Sequence, residues 1–155
     1  AEVVPTPGKD YTVIIDYSHT PDSLENILQT VNGFCRGRTI AVFGCGGDRD
    51  PFKRPVMGRI AAENADYSVV TSDNPRTEDP HEIIRQIVEG MHDAAGHYKV
   101  IENREEAIRW AMDHAKKDDV IVLCGKGHET YQEINHQKRH LDEREVVAEY
   151  LEKTK

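Results

Sequence analysis

Cysteine is scarce in this chain: the 155 residues hold three, Cys35, Cys45 and Cys124. The odd count and the lack of a Cys-x-x-Cys spacing argue against a disulfide framework and against a structural zinc site. Three buried thiols in a reducing, cytoplasmic setting are expected instead. Long apolar runs are also missing. The longest are about five or six residues, against the roughly 20 that a membrane helix needs. Ala1 to Pro7 shows no basic start followed by an apolar stretch, so no signal peptide is expected. Positive charge is in deficit: 20 Lys and Arg against 28 Asp and Glu leave a net −8. That balance argues against a general nucleic-acid binder, while leaving room for a local cationic pocket. What is present, 37% hydrophobic and 31% charged residues in 155, suits one soluble domain with a core.

Apolar runs and helical stripes alternate along the chain. Thr12 to Asp16 reads as a strand, and Thr20-Pro21-Asp22 as a helix start with Thr20 as cap. Leu24, Ile27, Leu28 and Val31 then share one helix face, and Gly33 is a plausible stop. The cycle recurs. Thr39 to Phe43 is a strand, followed by a helix marked by Val56, Met57, Ile60 and Ala61. Tyr67 to Thr71 precedes a helix opened by Asp79-Pro80. Tyr98 to Ile101, a weaker strand, precedes a helix capped by Asn103. Val120 to Cys124 has the continuous apolar character of a doubly buried parallel strand. Thr130 to Arg139 is expected to turn back around Asn135 as an edge hairpin, and Asp142 starts a last helix. Five strand-then-helix cycles predict a three-layer, Rossmann-like α/β domain. Its sheet is mostly parallel with a C-terminal antiparallel edge strand or hairpin, and helices cover both faces.

Ligands in such folds bind beyond the carboxyl ends of the strands. Four of the five strand ends carry glycine, acid, base or histidine: Asp16 to His19, Gly44 to Asp50, Ser72 to Arg76 and Gly125 to Glu129. Each has a plainer reading. Asp16 and His19 fit an Asx-type turn and a helix cap. Gly44, Gly46 and Gly47 permit a tight turn whatever the function, and also free N–H groups for an anion. Their spacing resembles a dinucleotide fingerprint, but Arg49 stands where the third glycine belongs. Asp73-Asn74-Pro75 is ordinary turn composition; Arg76 adds a planar, charged fork suited to a carboxylate or phosphate. Gly125-Lys126-Gly127 lacks the spacing of a Walker loop, and His128 and Glu129 fit solvated loop residues. Cys124 and His128 have loose metal spacing but no further ligand, so no metal site is expected. Arg49, Arg76 and Lys126 against Asp16, Asp48, Asp73 and Glu129 put both signs at one rim, which suits a zwitterion better than a simple anion. No nucleophile–base pair is evident.

Five segments in order carry a family resemblance: Asp16-Tyr-Ser-His-Thr-Pro-Asp22, Phe43-Gly-Cys-Gly-Gly-Asp-Arg-Asp50, Lys53-Arg-Pro-Val-Met57, Asp73-Asn-Pro-Arg76 and Gly125-Lys-Gly-His-Glu129. Together they resemble the C-terminal domain of the Mur ligases that add the third peptide residue to the peptidoglycan precursor, over essentially the whole chain. The resemblance implies that residues 1–155 are one such domain, excised from an enzyme whose UDP-sugar-binding and ATP-binding domains are not in this sequence. It implies that Arg49, Asp73, Asn74, Pro75, Arg76, Gly125 and Glu129 bind meso-diaminopimelate. It implies that Asp16 contacts the ATP ribose, with His19 and Lys126 as weaker nucleotide candidates. The implied reaction is ATP- and Mg²⁺-dependent amide formation on UDP-N-acetylmuramoyl-L-alanyl-D-glutamate through an acyl phosphate, in cell-wall synthesis, with Mg²⁺ held mainly by the central domain. A cytoplasmic monomer without nucleic-acid or membrane partners is expected. The competing readings are a free-standing nucleotide- or dinucleotide-binding module and a pure interaction domain.

Overall fold

The structure, a computed structural model of the chain, describes residues 1–92 and 97–155. Its strands are β1 (Glu2–Val4), β2 (Thr12–Asp16), β3 (Thr39–Phe43), β4 (Tyr67–Val70), β5 (Tyr98–Val100) and β6 (Val120–Cys124). They form one sheet in the order β1-β2-β6-β3-β4-β5. Every neighbouring pair from β2 to β5 is parallel, and β1 joins β2 antiparallel. Two further strands, β7 (Tyr131–Ile134) and β8 (Gln137–His140), form a separate antiparallel pair, with a single parallel bridge from Ile134 to Arg76. The helices are α1 (Pro21–Asn32), α2 (Lys53–Asn64), α3 (Pro80–Glu89), α4 (Arg104–His114) and α5 (Glu143–Lys153).

The alternation of side chains along each strand divides the core into two layers. Ile14, Ala41, Phe43, Val70 and Val122 face Leu24 and Leu28 of α1, Met57 and Ile60 of α2, and Ile83 and Ile87 of α3. Their chain neighbours Val13, Ile15, Val42, Val69, Ile121 and Leu123 face Ala107, Ile108 and Met112 of α4 and Val146, Val147 and Tyr150 of α5. Helices therefore lie on both faces, as the pattern predicts. The helix starts also follow the sequence. The Thr20 hydroxyl accepts from Ser23 N–H and Pro21 follows it; Asp79 caps α3, Asn103 caps α4 and Asp142 caps α5.

Two features differ from expectation. The antiparallel edge strand is the N-terminal β1, which at three residues is too short to show an alternation. The expected C-terminal hairpin forms, but beside the sheet rather than on its edge. It turns through Asn135 and His136 at φ 49° and 64°, the left-handed pair of a tight two-residue turn. Its backbone bonds go to the loop after β4: Arg76 N–H donates to Glu133 O (3.0 Å) and Asn135 N–H to Arg76 O (2.8 Å).

One buried ion pair ties the strand ends to the helices behind them. Arg104 and Glu143, both 0% exposed, meet at 2.9 Å through Nε and Oε2. The other two arms of the guanidinium donate to Ser72 O (3.1 Å), just past β4, and to Cys124 O (2.8 Å), the last residue of β6. Removing one partner of such a pair leaves an uncompensated charge and orphaned carbonyls. Arg104→Ala is expected to destabilise the chain by about 3–5 kcal/mol in urea denaturation. Replacing both partners, Arg104→Met with Glu143→Leu, is expected to recover most of that. A loss under ~1 kcal/mol would contradict this account of the pair.

Candidate functional site

Because β2, β6, β3 and β4 are adjacent and parallel, their carboxyl ends bring four loops to one edge. Two clefts open there, sharing a wall made by Tyr17, His19 and Thr20. The first, about 260 Å³, is lined by Arg49, Asp73, Asn74, Arg76, Gly125 and Glu129, together with Lys53 and Gly46. The second, about 380 Å³, is lined by Asp16, Ser18, His19, Gly127, His128, Arg144 and Glu2.

Loop–loop packing builds the first cleft. Gly47 N–H donates to Asn74 O at 2.8 Å, and a Cβ at Gly47 would lie 1.9 Å from Pro75 O. Only glycine allows that approach. This glycine of the rich loop thus serves a contact between loops, and its N–H is already taken. Pro75 is buried and does not line the cleft; it is the surface on which Gly47 sits. Arg76 holds the left-handed φ of 52°. Its Nη1 donates to Gly47 O at 2.9 Å, and Nε stands 3.7 Å from Glu133 of the hairpin. Arg49 is exposed, with Nη1 on Asp48 O. Groups of both signs thus line one space, with Asp73, Asn74 and Glu129 clustered together and Arg49 and Arg76 beside them. The Glu129 carboxylate beside Tyr17 is the main cause holding that phenol above its usual range.

The structure separates the residues that the resemblance grouped for the nucleotide. Asp16 and His19 line the second cleft, where Asp16 Oδ2 accepts from Ser18 N–H at 3.1 Å. Lys126 lines neither cleft. It is 0% exposed, and its ammonium donates to Asp73 Oδ1 (3.1 Å), Asn74 Oδ1 (2.9 Å) and Glu129 Oε1 (3.3 Å). Its three N–H groups are thus directed at residues of the first cleft rather than into the second. Burial pushes the Cys45 and Cys124 thiols up to about 12, which leaves both as inert, protonated groups.

Several residues that shape the site gave no signal of spacing. Gln132 donates to Asp73 O at 2.6 Å, and Arg144 reaches Glu2, Gly127 O and His128 around the second cleft. Arg54, 1% exposed, sends its fork to both oxygens of Glu78 (3.0 and 2.9 Å) and donates to Gly46 O at 3.0 Å. Lys53 and Arg54 stand in a segment that carried the resemblance, but nothing in the sequence marks which of them is buried.

These observations define the class: a doubly covered, mostly parallel α/β domain with a two-signed polar site at its strand ends. The profile of the family described as "Mur ligase, glutamate ligase domain" matches residues 1–127. Similar proteins include UDP-N-acetylmuramoyl-L-alanyl-D-glutamate–2,6-diaminopimelate ligase 1 of Clostridium acetobutylicum, 54% identical over 92% of this chain and 29% of that protein. The corresponding ligase of Clostridioides difficile is 53% identical over 98% of this chain and 31% of its own length. A solved structure of a ligase with the same name superposes with a TM-score of 0.92 at 38% identity, covering 99% of this chain and 31% of that one. The chain belongs to the Mur ligase family and corresponds to its C-terminal domain. It spans about three-tenths of the length of these relatives. More distantly, the E. coli FolC structure with ADP shares the fold, with a TM-score of 0.58 at 20% identity.

The Arg54–Glu78 pair has a pH signature. Hydrogen bonds from Arg54 are the main cause holding the Glu78 carboxyl below its usual value of 4.5. A depressed native value adds stability above the unfolded value, and that stability disappears as pH falls through the lowered one. Glu78 also accepts Asp48 N–H at 2.7 Å, so its protonation loosens the tip of the glycine-rich loop. Glu78→Gln is expected to lower the melting temperature at pH 6, with the gap to the native chain closing toward pH 3. A gap that did not change with pH would mean that Glu78 does not act through its charge.

Proposed function

We propose that the chain is the amino-acid-receiving part of an ATP-dependent ligase that joins meso-diaminopimelate to UDP-N-acetylmuramoyl-L-alanyl-D-glutamate in peptidoglycan synthesis. The observation that carries this is the first cleft. Arg49, Asn74 and Arg76 line one space together with Asp73 and Glu129, in a chain more than half identical to ligases so named. Diaminopimelate has an ammonium and a carboxylate at each end. Arg76 and Asn74 suit the distal carboxylate, Glu129 and the Gly125 carbonyl suit the distal ammonium, and Arg49 adds a further carboxylate contact.

The chemistry follows from the class. ATP phosphorylates the free side-chain carboxylate of the D-glutamyl residue; the amine nitrogen then attacks the acyl carbon, the C–N bond forms and inorganic phosphate leaves. This chain's residues supply no covalent step. They fix the amino acid at both ends of its distal centre and so aim the amine at the other end. Asp16, beside the exposed His19, suits the ribose hydroxyls of ATP. The phosphates and Mg²⁺ are assigned to the part of the polypeptide outside this chain, so the chain alone is proposed to be inactive. A cytoplasmic setting accords with three cysteines held as free thiols.

The test is Arg76→Ala in the full-length ligase, with specificity constants for meso-diaminopimelate and L-lysine. Lysine lacks the distal carboxylate, so in its complex the Arg76 guanidinium is left with only its bond to Gly47 O and its pairing with Glu133. The variant is expected to lower the diaminopimelate constant at least ~100-fold, about 2.7 kcal/mol, and to leave the low lysine constant nearly unchanged. Equal losses for both amino acids would make Arg76 a support of the loop and overturn the assignment.

A further inference from the structure

Lys126 is a fully buried cation beneath the first cleft. Its three N–H groups have three oxygen partners, one each on Asp73, Asn74 and Glu129, at 3.1, 2.9 and 3.3 Å. The Tyr131 ring, 5.9 Å from Nζ, closes the remaining side. Two of these partners belong to the loop after β4, and the third to the loop after β6. The ammonium therefore fixes one loop against the other.

Its bond to Asn74 has a chemical consequence. Asn74 Oδ1 accepts from Lys126 Nζ at 2.9 Å and from Glu133 N–H at 3.0 Å. With its oxygen occupied by two donors, the amide has one orientation, and its NH₂ is turned toward Glu129 Oε1 at 3.4 Å, itself a wall of the cleft. Asn74 is thereby made a donor to whatever fills that space. Flipped, it would present an oxygen and repel a carboxylate. Lys126 also sets the net charge. It offsets one of the two carboxylates, Asp73 and Glu129, that flank it. Removing Lys126 makes the cleft one charge more negative, a shift that favours a net-cationic ligand relative to a neutral one.

We propose that Lys126 is a specificity-determining positioning residue: by locking the Asn74 amide as a donor and offsetting one carboxylate, it biases the cleft toward a dicarboxylic diamino acid and against its monocarboxylic, net-cationic analogue. This rests on the reading of the first cleft as the amino-acid site. Diaminopimelate and lysine share the distal ammonium and differ by one carboxylate. Loss of Lys126 weakens the carboxylate's donor and adds one negative charge to the wall, and both changes move preference toward lysine.

The test has two arms on the native chain and on Lys126→Met. Without ligand, the Asn74 side-chain NH₂ signals in nuclear magnetic resonance are expected to be well dispersed in the native chain and to move toward free-amide values in the variant. With millimolar meso-diaminopimelate or L-lysine, the ratio of the two affinities is expected to fall at least ~10-fold in the variant, about 1.4 kcal/mol, with diaminopimelate losing more. An equal loss for both ligands marks a merely structural lysine and overturns the proposal, as does an unchanged Asn74 signal. A native chain that prefers neither amino acid overturns the reading of the cleft instead, while the ligand-free arm still decides whether Lys126 holds Asn74. If Lys126→Met does not fold, Lys126→Gln, which keeps one donor and loses the charge, goes through both arms with the same outcomes decisive.

Discussion

The Arg104 guanidinium holds four pieces of chain at once: α4, which carries it, Glu143 at the start of α5, Ser72 beyond β4 and Cys124 at the end of β6. A charge this deep needs its counterion in contact and its nitrogens hydrogen-bonded, and each of the three guanidinium nitrogens has a partner. The constraint runs outward. Ser72 and Cys124 precede the two segments, Asp73 to Arg76 and Gly125 to Glu129, that give the first cleft Asp73, Asn74, Arg76, Gly125 and Glu129. The carbonyls fixed by Arg104 thus set where those segments leave the sheet. Lys126 then joins the same two segments to each other, and Arg54 does the same for the glycine-rich loop through Gly46 and Glu78.

Three buried cations, Arg104, Lys126 and Arg54, therefore stand behind the loops of the first cleft. That arrangement explains why a strand-end edge made of irregular backbone can hold a defined shape. Its loops bond to each other and to buried side chains: Gly47 to Asn74, Gln132 to Asp73, the hairpin to Arg76. Arg76 keeps a left-handed backbone because both its N–H and its carbonyl are bonded to the hairpin. Groups fixed before a ligand arrives lose little freedom when it binds, which is the condition for discriminating ligands that differ by a single carboxylate.

Much of this was legible from the residues. Thr20-Pro21 and Asp79-Pro80 gave helix starts, and the apolar strands with flanking helical stripes gave a doubly covered parallel sheet. The strand-end segments marked the edge where the clefts lie. What was hidden has physical causes. β1 is three residues long and shows no period. Arg104 pairs with a residue 39 positions away, and no local spacing reports such a contact. Lysine and arginine are almost never fully buried unless paired, so Lys126 was expected to face a ligand, and nothing in the sequence marked Arg54 as buried. Gly47 read as a turn or anion-binding glycine because its true neighbour, Pro75, is distant in sequence.

The account stands on the orientation of one ligand in one cleft. A crystal structure of the chain with meso-diaminopimelate tests it most directly. The account predicts the distal carboxylate on Asn74 Nδ2 and the Arg76 guanidinium, the distal ammonium on Glu129 and the Gly125 carbonyl, and Lys126 untouched beneath them. Diaminopimelate seated beside Asp16 in the neighbouring cleft, or turned so that a carboxylate meets Glu129, would contradict it.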